Sequence, residues 1–100
     1  MQGKVKQFPT GRLLCTPGAM DHVGVEEMMA AYYRHREGDW GDVCPEDWRS
    51  NDQAIRSGMR ILSAYHTSTG QKFWIITEAD RSATTILLPE DYCKGGLYAH

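Results

Sequence analysis

The stretch Lys72 to Leu88, KFWIITEADRSATTILL, holds two apolar, β-branched runs separated by a short charged turn. Residues 72–78 and 83–88 have strand composition, and Ala79-Asp80-Arg81-Ser82 between them is short enough to close an antiparallel hairpin. Phe73, Trp74, Ile75 and Ile76 are apolar on both alternating faces, so both faces need a cover, either the chain's own helices or a partner.

Working outward, residues 60–67 (RILSAYHT) keep the extended period, and Ser68-Thr69-Gly70 supplies a second tight link, so the three strands form an antiparallel meander. Pro89 closes the last strand. Toward the amino terminus, Leu13 to Cys15 is a short apolar run suited to an edge strand. Thr16-Pro17 then signals a brief helix: the hydroxyl caps orphan amides, and proline fills a first-turn position that needs no donor. Gly24 interrupts it. A second helix runs from about Val25 to His35, with Met28, Met29, Tyr32 and Tyr33 along one face, and Gly38 ends it. A third runs from Pro45 to Ser57 and stops at Gly58, with Glu46 and Asp47 at the positive end of its dipole.

The expected fold is therefore α+β: two or three helices packed on a three- to four-stranded antiparallel sheet. It forms one domain over residues 1–100, with 1–11 and 94–100 loosely ordered. The expected core includes Leu14, Met28, Met29, Tyr32, Trp48, Ile55, Leu62, Trp74, Ile76, Ile86 and Leu88. Phe73, Ile75 and Leu87 would then fall on the second sheet face, as an apolar patch suited to a homodimer or a target protein.

Charge is nearly balanced, with Lys+Arg 11 against Asp+Glu 13, which excludes a polycation or a disordered acidic tail. Its distribution is uneven. Residues 1–20 carry Lys4, Lys6 and Arg12 and no acid, whereas residues 21–52 carry nine acids against three bases, a balance of −6. No apolar run approaches the length of a membrane helix and no signal-peptide pattern opens the chain, so a cytoplasmic protein without membrane contact is expected. Cys15, Cys44 and Cys93 lack CxxC spacing and read as reduced structural thiols.

Two constellations could carry function. The first is the acidic segment Asp39, Trp40, Asp42, Glu46, Asp47, Arg49 and Asp52, in which an anionic face beside aromatic anchors suits a basic, nucleic-acid-like groove on a partner. The alternative is a solvated helix face with its tryptophans in the core. The second is the hairpin turn Glu78, Asp80 and Arg81 with Tyr65, His66 and Lys72, the residue types of small sheet ribonucleases. Its alternative is an ordinary turn in which Asp80 bonds its own backbone and Arg81 pairs with Glu78 or Asp80. The histidines fit no ligand spacing and read as surface groups, with His66 half buried. No phosphate-binding glycine pattern occurs, so no metal and no cofactor is expected. Cys15, just before a helix start, lacks a histidine that would make it a nucleophile.

The segments GRLLCTPGAM (11–20), RHREGDWGDV (34–43), EDWRSNDQAI (46–55), RILSAYHT (60–67) and KFWIITEADRSATTILLPEDY (72–92) resemble a group of small uncharacterised proteins encoded on bacterial plasmids and other mobile elements. The resemblance spans most of the chain. It carries no catalytic residue over. It implies a phage or plasmid context, in which small cargo proteins bind and block host components such as restriction or CRISPR machinery. The expected function is thus non-enzymatic binding of a host protein or protein–nucleic-acid complex with a basic surface, as a defence inhibitor. A sheet-based ribonuclease, or nucleic-acid binding through the basic lead-in, is the alternative.

Overall fold

A computed structural model describes residues 8–93. The basic lead-in with Lys4 and Lys6, the tail beyond Cys93 and the Cys93 side chain lie outside the described residues. The elements run β1 (Arg12–Cys15), α1 (Pro17–His22), α2 (Val25–Arg36), α3 (Pro45–Ser57), β2 (Ile61–His66), β3 (Lys72–Thr77), β4 (Ala83–Leu87) and α4 (Pro89–Cys93).

Local chemistry sets the boundaries. Thr16 Oγ1 accepts from the Ala19 amide and Pro17 opens α1; Pro45 opens α3, and Gly58 ends it in the left-handed region at φ 77°. The short α4 follows Pro89, which thus starts a helix as well as ending a strand.

The class is α+β, but the sheet is mixed, in the order β1-β4-β3-β2. The meander β2-β3-β4 is antiparallel as expected, whereas β1 lies parallel to β4, with Leu13 beside Thr84 and Cys15 beside Ile86. The cause is connectivity. Three helices intervene between β1 and β2, so the chain can cross over and lay β1 against the last strand.

Register assigns the faces. Ile75 pairs with Ile86 and Trp74 with Leu87, so Phe73, Ile75, Ile86 and Leu88 share one face while Trp74, Ile76 and Leu87 share the other. Ala19, Val23, Met28 and Ala31 of the first two helices and their junction pack on the first face together with Tyr65. The expected patch of Phe73, Ile75 and Leu87 therefore does not form: the three are at most 1 % exposed and lie on opposite faces. On the second face Ile76 and Leu87 are also fully buried, and Tyr92 of α4 stands edge-on to Trp74 at 6.0 Å.

A second cluster, Trp40, Ala54 and Ile61 with Phe8, Val43, Trp48 and Ile55, joins α3 to the sheet. Phe8 lies 5.9 Å from the Trp40 ring, and Thr10 Oγ1 is 3.0 Å from the Tyr32 hydroxyl, so the described end of the lead-in is held against the helices.

Candidate functional site

The acidic segment lies between α2 and α3 and along α3, and it is anchored to the β2 edge. Asp42 donates its amide to the Ala64 carbonyl at 2.7 Å and Ala64 donates to the Trp40 carbonyl at 3.1 Å, a one-residue extension of the sheet. Gly41 sits between them at φ 75°, where a Cβ would lie 2.1 Å from the Ala64 carbonyl oxygen. Only glycine fits there.

This anchoring consumes much of the expected acidic face. Trp40 is 0 % exposed and donates its indole N–H to Asp52 at 2.9 Å, so it is a core residue and not an interface anchor. Burial of a large ring with its polar atom satisfied accounts for that placement. Asp39 takes a two-pronged bond from Arg34, at 2.8 and 3.3 Å, which with the Gly41 amide holds its carboxyl below the usual carboxylate range. Asp42 lies 2.7 Å from His66 Nδ1.

What stays outward is the start of α3. Glu46, Asp47 and Arg49 are exposed, with no partner among the described residues for the two acids, and Trp48 is half-buried. Gly41, Val43, Pro45, Trp48 and Arg49 line an open groove of about 360 Å³, and a second of about 410 Å³ continues past Arg49 along Glu46, Ser50, Asp52 and Gln53.

The second expected constellation does not assemble. His66 pairs with Lys72 at one end of the β2–β3 ladder, while Arg81 lies beyond Thr77 at the other. Arg81, at φ 62°, donates to the carbonyls of Ala54 (2.7 Å), Met59 (2.8 Å) and Glu78 (3.0 Å), binding the β3–β4 turn to the end of α3. It pairs with neither the Glu78 nor the Asp80 carboxylate, because carbonyls at a helix C-terminus offer it a tighter cradle. Asp80 accepts the Ser82 amide at 3.0 Å, an ordinary turn, and this bonding to Ser82 keeps its carboxyl low; Glu78 lies 3.6 Å from Arg60.

The histidines divide: His22 and His66 are exposed, as expected of surface groups, whereas His35 is 0 % exposed. His35 Nδ1 lies 2.5 Å from Ser63 Oγ and Nε2 lies 2.8 Å from Thr77 Oγ1; Thr77 Oγ1 is 2.7 Å from Thr84 Oγ1, and Thr84 donates to the Thr10 carbonyl at 2.8 Å. That carbonyl fixes every proton. Thr84 spends its hydrogen on Thr10, so Thr77 donates to Thr84; His35 Nε2–H must then donate to Thr77, leaving Nδ1 to accept from Ser63. Burial, seconded by the Arg81 charge, pulls the His35 pKa down to about 3. The histidine–serine pair has nucleophile–base spacing, but Ser63 is 0 % exposed and out of reach of any substrate. The sequence signal for this relay was Thr77 and Thr84, hydroxyl residues at the turn ends of two largely apolar strands.

Cys15 donates its thiol toward Met28 Sδ at 3.6 Å; burial first, then the Asp91 charge, pushes its pKa up, which suits an inert thiol. Among the described residues no group of three or more His, Cys, Asp or Glu is placed to hold a metal ion, and no helix is long and apolar enough to cross a membrane. No protein-family model, no curated protein and no solved structure matches the chain.

Proposed function

We propose that the protein is a non-enzymatic binding module of a phage or plasmid element. It docks through the start of α3 onto a basic surface of a host protein or protein–nucleic-acid complex and so inhibits a host defence system. The observation that supports this reading is the groove beside half-buried Trp48 and Arg49, with Glu46 and Asp47 exposed on the same first turn of α3 and without partners among the described residues. Tryptophan and arginine are the residue types that carry interface energy, and the two acids steer a cationic partner. The mobile-element context rests on the sequence resemblance alone.

Rigidity favours the same surface. Asn51, Ala54 and Asp52 hold α3 to the sheet and to Trp40 from its inner side, so the outer side meets a partner with little ordering cost. The test is capture of a partner from host lysate by wild-type protein and by the double variant Glu46→Lys, Asp47→Lys, with circular dichroism as the folding control. Loss of capture by a folded variant supports the reading. Capture at the wild-type level by the same variant refutes it.

A further inference from the structure

The two edges of the sheet are finished differently. On β2 the outward backbone groups of Leu62 meet the Asn51 amide, and those of Ala64 meet Trp40 and Asp42. On β1 the Arg12 and Thr16 amides bond to Ser82 and Ile86, so the alternate residues Leu13 and Cys15 turn their N–H and C=O groups away from the sheet. Neither residue finds a backbone partner for them among the described residues, and the Leu13 side chain is 39 % exposed. An open edge of this kind is a template for another strand.

The described end of the chain's lead-in lies elsewhere. Phe8 lies against His35, Trp40 and Arg81, in the cluster that joins α3 to Ile61 of β2, the strand farthest from β1.

The geometry points to a second copy of this chain as the occupant of the open edge, with β1 pairing antiparallel to itself about a two-fold axis at Leu14. In that register Leu13 stands opposite Cys15 of the partner subunit, and Cys15 opposite Leu13 of the partner subunit. Each of these pairs exchanges two N–H···O bonds, so every outward group of both strands is satisfied. The ends match in charge as well. Arg12, which has no ion-pair partner among the described residues, comes opposite Thr16 of the partner subunit; within each chain the Thr16 hydroxyl donates to Asp91 at 2.6 Å. Each arginine thus faces an acid, and the two sheets join into one. The β1 edge is separate from the α3 groove, so this assembly stands or falls independently of the proposed partner binding.

Sedimentation equilibrium of the full chain over a range of concentrations is the test. The expected result is a reversible, concentration-dependent shift to twice the chain mass. Leu13→Pro removes only an outward N–H, which proline tolerates on an edge, and it should leave a folded monomer. Leu14→Cys, with Cys15, Cys44 and Cys93 replaced by alanine, should form an interchain disulfide on mild oxidation, because such pairs hold their Cα atoms about 4.5 Å apart. A wild-type chain that stays monomeric at every concentration overturns the proposal, as does undiminished dimerisation of folded Leu13→Pro. A dimer in which Leu14→Cys does not cross-link overturns the two-fold register.

Discussion

The Asn51 side chain reproduces a neighbouring strand for Leu62: its amide donates to the Leu62 carbonyl at 2.8 Å and its carbonyl accepts the Leu62 N–H at 3.3 Å. One helical side chain thereby closes one outward position of β2, and the Gly41 bridge closes the next. This is why the sheet does not continue past β2, while β1 completes it on the far side of β4.

Removing that side chain leaves two backbone groups without partners in a half-buried site. Asn51→Ala should cost about 1–3 kcal/mol in urea denaturation, and Asn51→Asp, which keeps the acceptor and loses the donor, should not restore it. Wild-type stability in Asn51→Ala would mean that water serves the edge equally well.

Trp40 and Trp48 separate core from surface. Trp40→Ala empties a fully buried site and removes the indole N–H that Asp52 accepts, for an expected loss of about 3–5 kcal/mol. Trp48, half-buried, should cost less in stability and more in partner capture. Equal destabilisation by both substitutions would contradict this division.

The glycines at positive φ differ in what surrounds them. A Cβ at Gly41 meets the Ala64 carbonyl oxygen at 2.1 Å, whereas one at Gly58 meets nothing within 4 Å. Gly58→Ala should therefore show only left-handed strain, about 1–2 kcal/mol, and Gly41→Ala distinctly more. The denaturation midpoints of the two variants decide it.

His35 makes stability depend on pH. Its pKa is about 3 in the folded chain against 6.5 as the ordinary value, so between those values the unfolded chain takes up a proton that the native state refuses. Stability is complete above 6.5 and falls as pH drops, with a slope approaching about 1.4 kcal/mol per pH unit. Asp39, held low by Arg34, adds its own loss only at lower pH, when its carboxylate is protonated. Urea titrations between about pH 7 and about pH 5 should show the slope in wild type and not in His35→Gln. Nitrogen NMR should find the His35 proton on Nε2; a proton on Nδ1 would break the one-way relay from Ser63 to the Thr10 carbonyl.

The sequence by itself determined what depends on near neighbours. Thr16-Pro17 and Pro45 to Gly58 mark helix limits through backbone chemistry carried by the residues themselves, and the alternating apolar runs from Arg60 to Leu88 mark three strands and their hairpins. Only the tertiary structure decided which side each strand shows and which charges survive at the surface. Register placed Ile75 beside Ile86 and so buried Phe73 and Leu87 on opposite faces. Arg34 took Asp39 just past the end of α2, and Trp40 and His66, 12 and 24 residues from Asp52 and Asp42, engaged those acids; together they reduced a seven-residue face to the outer start of α3. Pairings across such separations have no periodic signature, because they are set by how elements pack and not by the local conformation of any one of them.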